Sequence, residues 1–186
     1  MKILMLGGTG AMGVPLGKIL VEKGHSVYVT SRTAHSSQNK INYILGNAQD
    51  DSFFKDTLKE VWDVIIDFMA YSTVTFKRRL DSLLDATSQY VFLSSARVYS
   101  QSEVPITEET PRLLDVLTDE TYLKTDEYAL SKARQENLLR DSGRQNWTVI
   151  RPSITFSEIR LQLGVLEKES HLLLGTALLI KSILSA

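Results

Sequence analysis

A chain of 186 residues with a net charge of -1 has room for one domain of ordinary size, and offers no electrostatic reason to expect nucleic acid or an anionic membrane as a partner. Apolar residues make up 43% and charged residues 23%, the balance of a soluble globular protein that buries a core without cross-links. Cysteine is absent, which excludes disulfide frameworks, thiolate zinc sites and thiol nucleophiles.

In chain order, Ile3-Leu4-Met5-Leu6 reads as a buried strand running into Gly7-Gly8-Thr9-Gly10, which cuts the apolar run too short for an export signal. A helix is expected from about Ala11 to Lys23, stopped by Gly24. Val27-Tyr28-Val29 and Tyr43-Ile44-Leu45 read as the next two strands, and Asp51 to Glu60 as a helix with Phe53, Phe54 and Leu58 on one face. Val64-Ile65-Ile66 is a fourth strand, Thr73 to Asp85 a crossover helix, and Tyr90-Val91-Phe92-Leu93 a fifth strand. The segment 100–125 reads as one long loop with an acidic cluster, placed to lie over a substrate. A long helix from about Asp126 to Asp141 and a sixth strand, Thr148-Val149-Ile150, complete the pattern. Strands apolar on both faces, separated by helices, predict an α/β fold: a doubly wound parallel sheet of Rossmann type.

After Arg151 the pattern weakens. A mixed helical segment from Ser157 to Glu169 precedes an apolar end, and Leu172 to Ile180 is about half the ~20 residues that span a bilayer. A Rossmann-like domain is expected over 1–156, with a remnant of a second domain or an atypical tail over 157–186. The chain is read as cytoplasmic.

Gly7, Gly10 and Gly13 stand three apart between the first strand and the first helix. The first glycine permits the tight turn, the second lets the backbone approach a pyrophosphate, and the third lets the helix pack closely on the strand. The helix N-terminus then supplies N–H groups and partial positive charge to the phosphates. Gly7, Thr9, Gly10, Ala11, Met12 and Gly13 are the expected cradle of a dinucleotide. An NAD site commonly has a carboxylate after the second strand to hold the ribose 2′-OH. Here stand Thr30, Ser31 and Arg32. Arg32 suits a 2′-phosphate, with Thr30 or Ser31 as hydrogen-bond donors, so NADP is favoured over NAD.

Tyr128 and Lys132 lie four residues apart, on one face of the predicted helix. A phenol, with an ordinary pKa near ~10, becomes a useful proton carrier when a cation lies nearby. Ser94-Ser95 follows the fifth strand at its carboxyl end, where ligands bind in open α/β sheets. A serine hydroxyl there can polarise a substrate oxygen.

The ordered set Gly7-x-x-Gly10-x-x-Gly13, Ser94 to Tyr99, Pro105 to Pro111, Tyr128-x-x-x-Lys132 and Arg151-Pro152-Ser153 resembles the extended short-chain dehydrogenase/reductase family of NAD-dependent epimerases and dehydratases, over about residues 1 to 156. The resemblance implies that Tyr128 is the general acid/base, that Lys132 holds the nicotinamide ribose hydroxyls, and that Ser95 hydrogen-bonds the reacting oxygen. It places Asn47, after Gly46, beside the adenine, the backbone of Phe68, Met69 and Ala70 along the cofactor, and Pro152 at the site. The implied substrate is a small hydroxylated molecule such as a nucleotide-sugar. Members run to about 300 residues, a domain pair, whereas about 30 residues follow Ser153 here. A missing substrate domain would limit turnover and leave a sheet edge that invites homodimer formation.

Two alternatives remain beside the enzyme: a non-catalytic dinucleotide-binding module, and a relative of the RNA-binding plastid proteins of the same family, against which the near-neutral charge argues. Phe53, Phe54, Phe92, Trp62 and Trp147 are expected to pack, Glu108 and Glu109 to be solvated, and Arg78 with Arg79 to form one helix face, too small for a nucleic-acid patch. His25, His35 and His171 lack ligand spacing, so no metal site is expected.

Overall fold

The structure, a computed structural model, describes residues 1–36, 40–153 and 155. Strand β1 (Lys2–Leu6) buries Ile3 and Met5 on one face and Leu4 and Leu6 on the other. That two-sided burial requires helices above and below. Strands β2 (Ser26–Ser31), β3 (Ile41–Leu45), β4 (Trp62–Asp67), β5 (Thr87–Leu93) and β6 (Trp147–Ile150) join it in a six-stranded sheet of order β3-β2-β1-β4-β5-β6. Every pairing is parallel, as the doubly wound reading requires.

Helices α1 (Gly13–Glu22), α2 (Asp51–Thr57) and α3 (Thr73–Asp85) follow β1, β3 and β4, while α4 (Leu113–Val116), α5 (Glu120–Leu123) and α6 (Tyr128–Asp141) lie between β5 and β6. Leu16, Leu20 and Val21 of α1 pack on Ile3, Met5, Val27 and Val29. On the other face Phe76, Leu80, Leu83 and Leu84 of α3, at helical spacing, close over Leu4, Leu6, Ile65, Tyr90 and Phe92. Each such buried side chain contributes about 1.5–3 kcal/mol of transfer free energy. Ser72 starts α3 by accepting the Thr75 N–H at 3.1 Å. The chain leaves β1 toward β2 on one side, and β4 lies on the other. This is the switch point at which a crevice opens beyond the carboxyl ends of the strands.

Four expectations change. Helix α1 starts at Gly13, because Ala11 and Met12 still belong to the glycine turn. Helix α6 starts at Tyr128 because the Glu127 carboxylate caps it, accepting the Ala129 N–H at 2.7 Å. The segment 100–125 is not one long loop: it contains α4 and α5, and an antiparallel bridge pairs Tyr99 with Arg112. Arg78 and Arg79 do not share one face: Arg78 is exposed and Arg79 is buried. The tail over 157–186 lies outside the described residues.

Candidate functional site

The crevice is built from the carboxyl ends of β1, β2 and β4. Gly7 turns the chain with φ of 70°, a region L side chains rarely enter, and a Cβ there would stand 2.7 Å from Met69 Sδ. Its N–H donates to Thr30 Oγ1 at 2.9 Å, so the end of β2 pins the turn. A Cβ on Gly13 would overlap the Gly8 carbonyl, which explains the close seating of α1. Met12 at the N-cap offers no side-chain acceptor, and the first turn of α1 carries no acidic residue. The Val14 N–H is taken by the Gly10 carbonyl at 3.1 Å and Pro15 has none, so what that end offers an anion is the Gly13 N–H and the positive end of the helix dipole.

A cavity of about 260 Å³ lies beside the turn. Gly7 and Thr9 line it from the turn, Thr30 and Ser31 from the end of β2 with Arg32 just beyond it, Gly46, Asn47, Ala48 and Gln49 from the loop after β3, and Met69 from the loop after β4. The glycine cradle, the uncapped helix end and the cavity between them fit the pyrophosphate and adenosine half of a dinucleotide.

Within that frame the individual side chains divide. Arg32 is exposed on the cavity wall. The Ser31 hydroxyl instead donates to the Thr33 carbonyl at 2.8 Å and lies 3.0 Å from His35 Nε2. The Asn47 amide is turned into its own loop, donating to Asp50 Oδ1 at 3.2 Å and accepting the Gln49 N–H at 3.1 Å. Phe68 packs partly buried against the α1-side core, while exposed Ala70 accepts from Gln49 Nε2 at 3.3 Å. Gly10, Ala11 and Met12 form the turn before α1. The loop after β3 is held from beneath by Arg79 of α3, which donates to the carbonyls of Ala48 and Gln49 at 2.8 and 2.6 Å and to Asp51 at 2.7 Å. Its hydrogen bond holds the Asp51 carboxyl below the ordinary range.

Ser95, Tyr128 and Lys132 lie beyond β5, along the same end of the sheet. Ser95 sits two residues past β5, and its Oγ accepts the Arg97 N–H at 3.2 Å. The Pro152 carbonyl accepts the Ala96 N–H at 2.9 Å, tying the end of β6 to that turn. Tyr128 is the first residue of α6 and is 42% exposed, with the Arg97 guanidinium 5.5 Å from its ring centre. One turn on, Lys132 is 4% exposed. Its Nζ donates to the Leu93 carbonyl at 2.7 Å and lies 6.0 Å from the Tyr128 ring centre. Burial pulls the Lys132 pKa below its ordinary value, against the opposing charges of Asp67 and Glu136.

A charged network supports this end. Glu136, fully buried, accepts from Ser94 Oγ at 2.7 Å and from Arg151 at 2.9 and 2.7 Å, and Arg112 reaches it at 3.3 Å. Burial alone would raise its pKa, but the hydrogen bonds from Arg151 and Ser94 outweigh this and hold it below the ordinary value. The network ties α6, the residue before Ser95, the end of β6 and the Arg112 segment into one block.

Sequence reasoning did not identify the Thr30 pin, Ala48 and Gln49 on the cavity wall, or Arg79 beneath it. Their signals are weak: Gln49 follows Asn47 by two residues, and nothing local marks Arg79 as buried. Asp67, the last residue of β4, likewise carries no local signal of its burial.

The chain matches the NAD(P)H-binding family model over residues 7–174. It is 32% identical to the chloroplast stem-loop binding protein of 41 kDa b of Arabidopsis thaliana, covering 81% of this chain and 41% of that protein. It is 31% identical to the UDP-glucose 4-epimerase of Lactobacillus helveticus, covering 60% of this chain and 41% of the relative. Among solved structures, the UDP-glucose 4-epimerase of Bifidobacterium longum in complex with NAD+ and UDP superposes with a TM-score of 0.58 at 25% identity, over 80% of this chain and 51% of that one. The chain thus spans about two-fifths of the curated relatives it matches. No described helix is long and apolar enough to cross a membrane. With the glycine turn, the parallel order and these likenesses in place, the chain belongs to the NAD(P)H-binding family, among the short-chain dehydrogenases/reductases of NAD-dependent epimerase type.

Proposed function

We propose that this domain binds NADP(H) in preference to NAD(H), and serves an oxidoreductase, epimerase or dehydratase acting on a hydroxylated small molecule of nucleotide-sugar type. The observation that carries the reading is the glycine turn meeting the uncapped N-terminus of α1 beside a cavity with Arg32 on its wall and no carboxylate at the end of β2. A 2′-phosphate suits a guanidinium there, whereas a bare ribose would favour an acid.

When bound, the nicotinamide supplies hydride transfer at its C4. The chain's own groups do the rest. Tyr128 exchanges a proton with a substrate hydroxyl or carbonyl, Ser95 hydrogen-bonds that oxygen, and the Lys132 ammonium serves the ribose hydroxyls. The buried Lys132 seat and the exposed Tyr128 phenol suit those roles. Nucleotide-sugar as substrate class rests on the epimerase relative's name.

The test is a titration with NADPH and with NADH, with Arg32→Ala alongside. NADPH binding that weakens in Arg32→Ala supports the reading, whereas binding of NADH alone, or NADPH binding unchanged in Arg32→Ala, overturns the NADP assignment. Turnover of a nucleotide-sugar lost in Tyr128→Phe supports the catalytic set. Cofactor binding without turnover by the full-length protein would favour the non-catalytic module instead.

A second reading follows from the plant relative, whose name says it binds stem-loops. The net charge of -1 argues against it, since such binding rests on neutralised phosphates. Binding of a stem-loop RNA at physiological salt, competed by NADPH, would favour it.

A further inference from the structure

Asp67, the last residue of β4, is 1% exposed and carries a carboxylate into the aromatic core below the site. Its Oδ2 accepts from Tyr90 Oη at 2.8 Å, and its Oδ1 accepts from the Met69 N–H at 2.9 Å and from Tyr71 Oη at 3.5 Å. All three donors are neutral. Among the described residues no cation bonds it directly. A buried acid of this kind needs a counter-charge nearby or gives up its ionised form.

We propose that Asp67 is the buried counter-charge of Lys132, a positioning residue that sets the charge state of the ammonium at the reacting end of the site. The proposal extends the role given to Lys132 above, but its central test requires no cofactor.

Three observations lead there. The sheet pairs Asp67 with Phe92, and the Lys132 ammonium lies 4.5 Å over that same ring. The ammonium has a neutral hydrogen-bond partner, the Leu93 carbonyl, so its charge is not balanced by contact. Two carboxylates act on it through space, Asp67 and Glu136, and Glu136 is already neutralised by Arg151 and Arg112. That leaves Asp67 to balance Lys132.

The groups around the pair are Tyr90 on β5, Tyr71 after β4, Glu136 on α6 and Arg79 on α3, which acts on Tyr71. Burial pushes the Asp67 carboxyl up to about 6, with the Met69 and Tyr90 hydrogen bonds and the Lys132 charge pulling the other way. Protonation of Asp67 therefore falls just below neutrality, and with it the support for the Lys132 charge. The same carboxylate holds the Met69 N–H, and Met69 lies against Gly7 on the cavity wall. The acid thus sits between the two halves of the site.

The experiment is a pH titration of the Lys132 side chain by carbon or nitrogen NMR on the cofactor-free protein, the signal assigned with Lys132→Arg. Asp67→Asn keeps an oxygen for the Met69 N–H and removes the charge. The Lys132 midpoint is expected to fall by about one pH unit, tenfold in proton affinity, and Asp67→Glu is expected to restore part of it. Tyr90→Phe, which keeps the acid, is expected to raise the Asp67 carboxyl midpoint and supplies the reading should Asp67→Asn fail to fold. A Lys132 midpoint unmoved by Asp67→Asn, or an Asp67 carboxyl that titrates in the ordinary range in wild type and Tyr90→Phe alike, overturns the proposal. Failure of NADPH to bind wild type overturns the functional reading alone and leaves this result standing.

Discussion

Replacing Asp67 with asparagine also makes a quantitative statement about stability. In an unfolded chain the carboxyl releases its proton near the ordinary value of 3.8, whereas burial in the folded protein holds the proton up to about 6. Between those values the folded state binds the extra proton, so stability falls as pH rises through that window. The rise is worth about 3 kcal/mol, present in full as a penalty at neutral pH and absent near pH 4. Asparagine is neutral at every pH and can keep partners for Met69 N–H and Tyr90 Oη. Asp67→Asn is therefore expected to unfold with a free energy about 3 kcal/mol higher than wild type at pH 7.5, the two converging toward pH 4. Urea denaturation followed by fluorescence of buried Trp62 measures this directly. A variant less stable than wild type at pH 7.5, or a difference that does not change with pH, would refute the reasoning: Asp67 would then be a net stabilising partner rather than a charge tolerated for the site.

Glu136→Gln works in the opposite direction. It leaves Arg151 and Arg112 without their buried carboxylate and is expected to cost about 3–5 kcal/mol at neutral pH. Because the folded carboxyl is held below its ordinary 4.5, its stabilisation is present above that value and is lost as pH falls through the lowered one; urea midpoints below pH 5 should fall in wild type and stay flatter in the variant. Gly13→Ala drives a Cβ into the Gly8 carbonyl and is expected to lower both the thermal midpoint and dinucleotide affinity, whereas Gly10, with nothing within 4 Å, should tolerate alanine in a melting experiment and show its effect in NADPH titration. Equal melting losses in both would contradict the division of labour within the turn. The Arg32→Ala titration and the Lys132 midpoint complete the set, the first reading cofactor choice and the second the charge at the reacting end.

The sequence by itself determined the sheet and the turn. Ile3 to Leu6, Val64 to Ile66 and Tyr90 to Leu93 are apolar on both faces, a pattern that only a sheet covered on both sides buries. Gly7 and Gly13 announce their geometry because the positive φ of the first and the contact of the second with Gly8 both arise within a few residues of chain. Tyr128 and Lys132 share a helical face for the same local reason. The tertiary structure alone decided what each charge does. Arg79 reads like its neighbour Arg78, yet its guanidinium lies under Ala48 and Gln49, about thirty residues away. Arg112 sits in what reads as a loop and ends on Glu136, and Ser31, adjacent to Arg32, spends its hydroxyl on Thr33 rather than on the cavity. Asp67 closes an apolar strand, where an acid ordinarily marks the way out to solvent, and only the rings of Tyr71 and Tyr90 reveal that it is inside. Periodicity reports which face of an element is buried. The fate of a polar group depends on partners brought to it by other elements, and no local spacing encodes them.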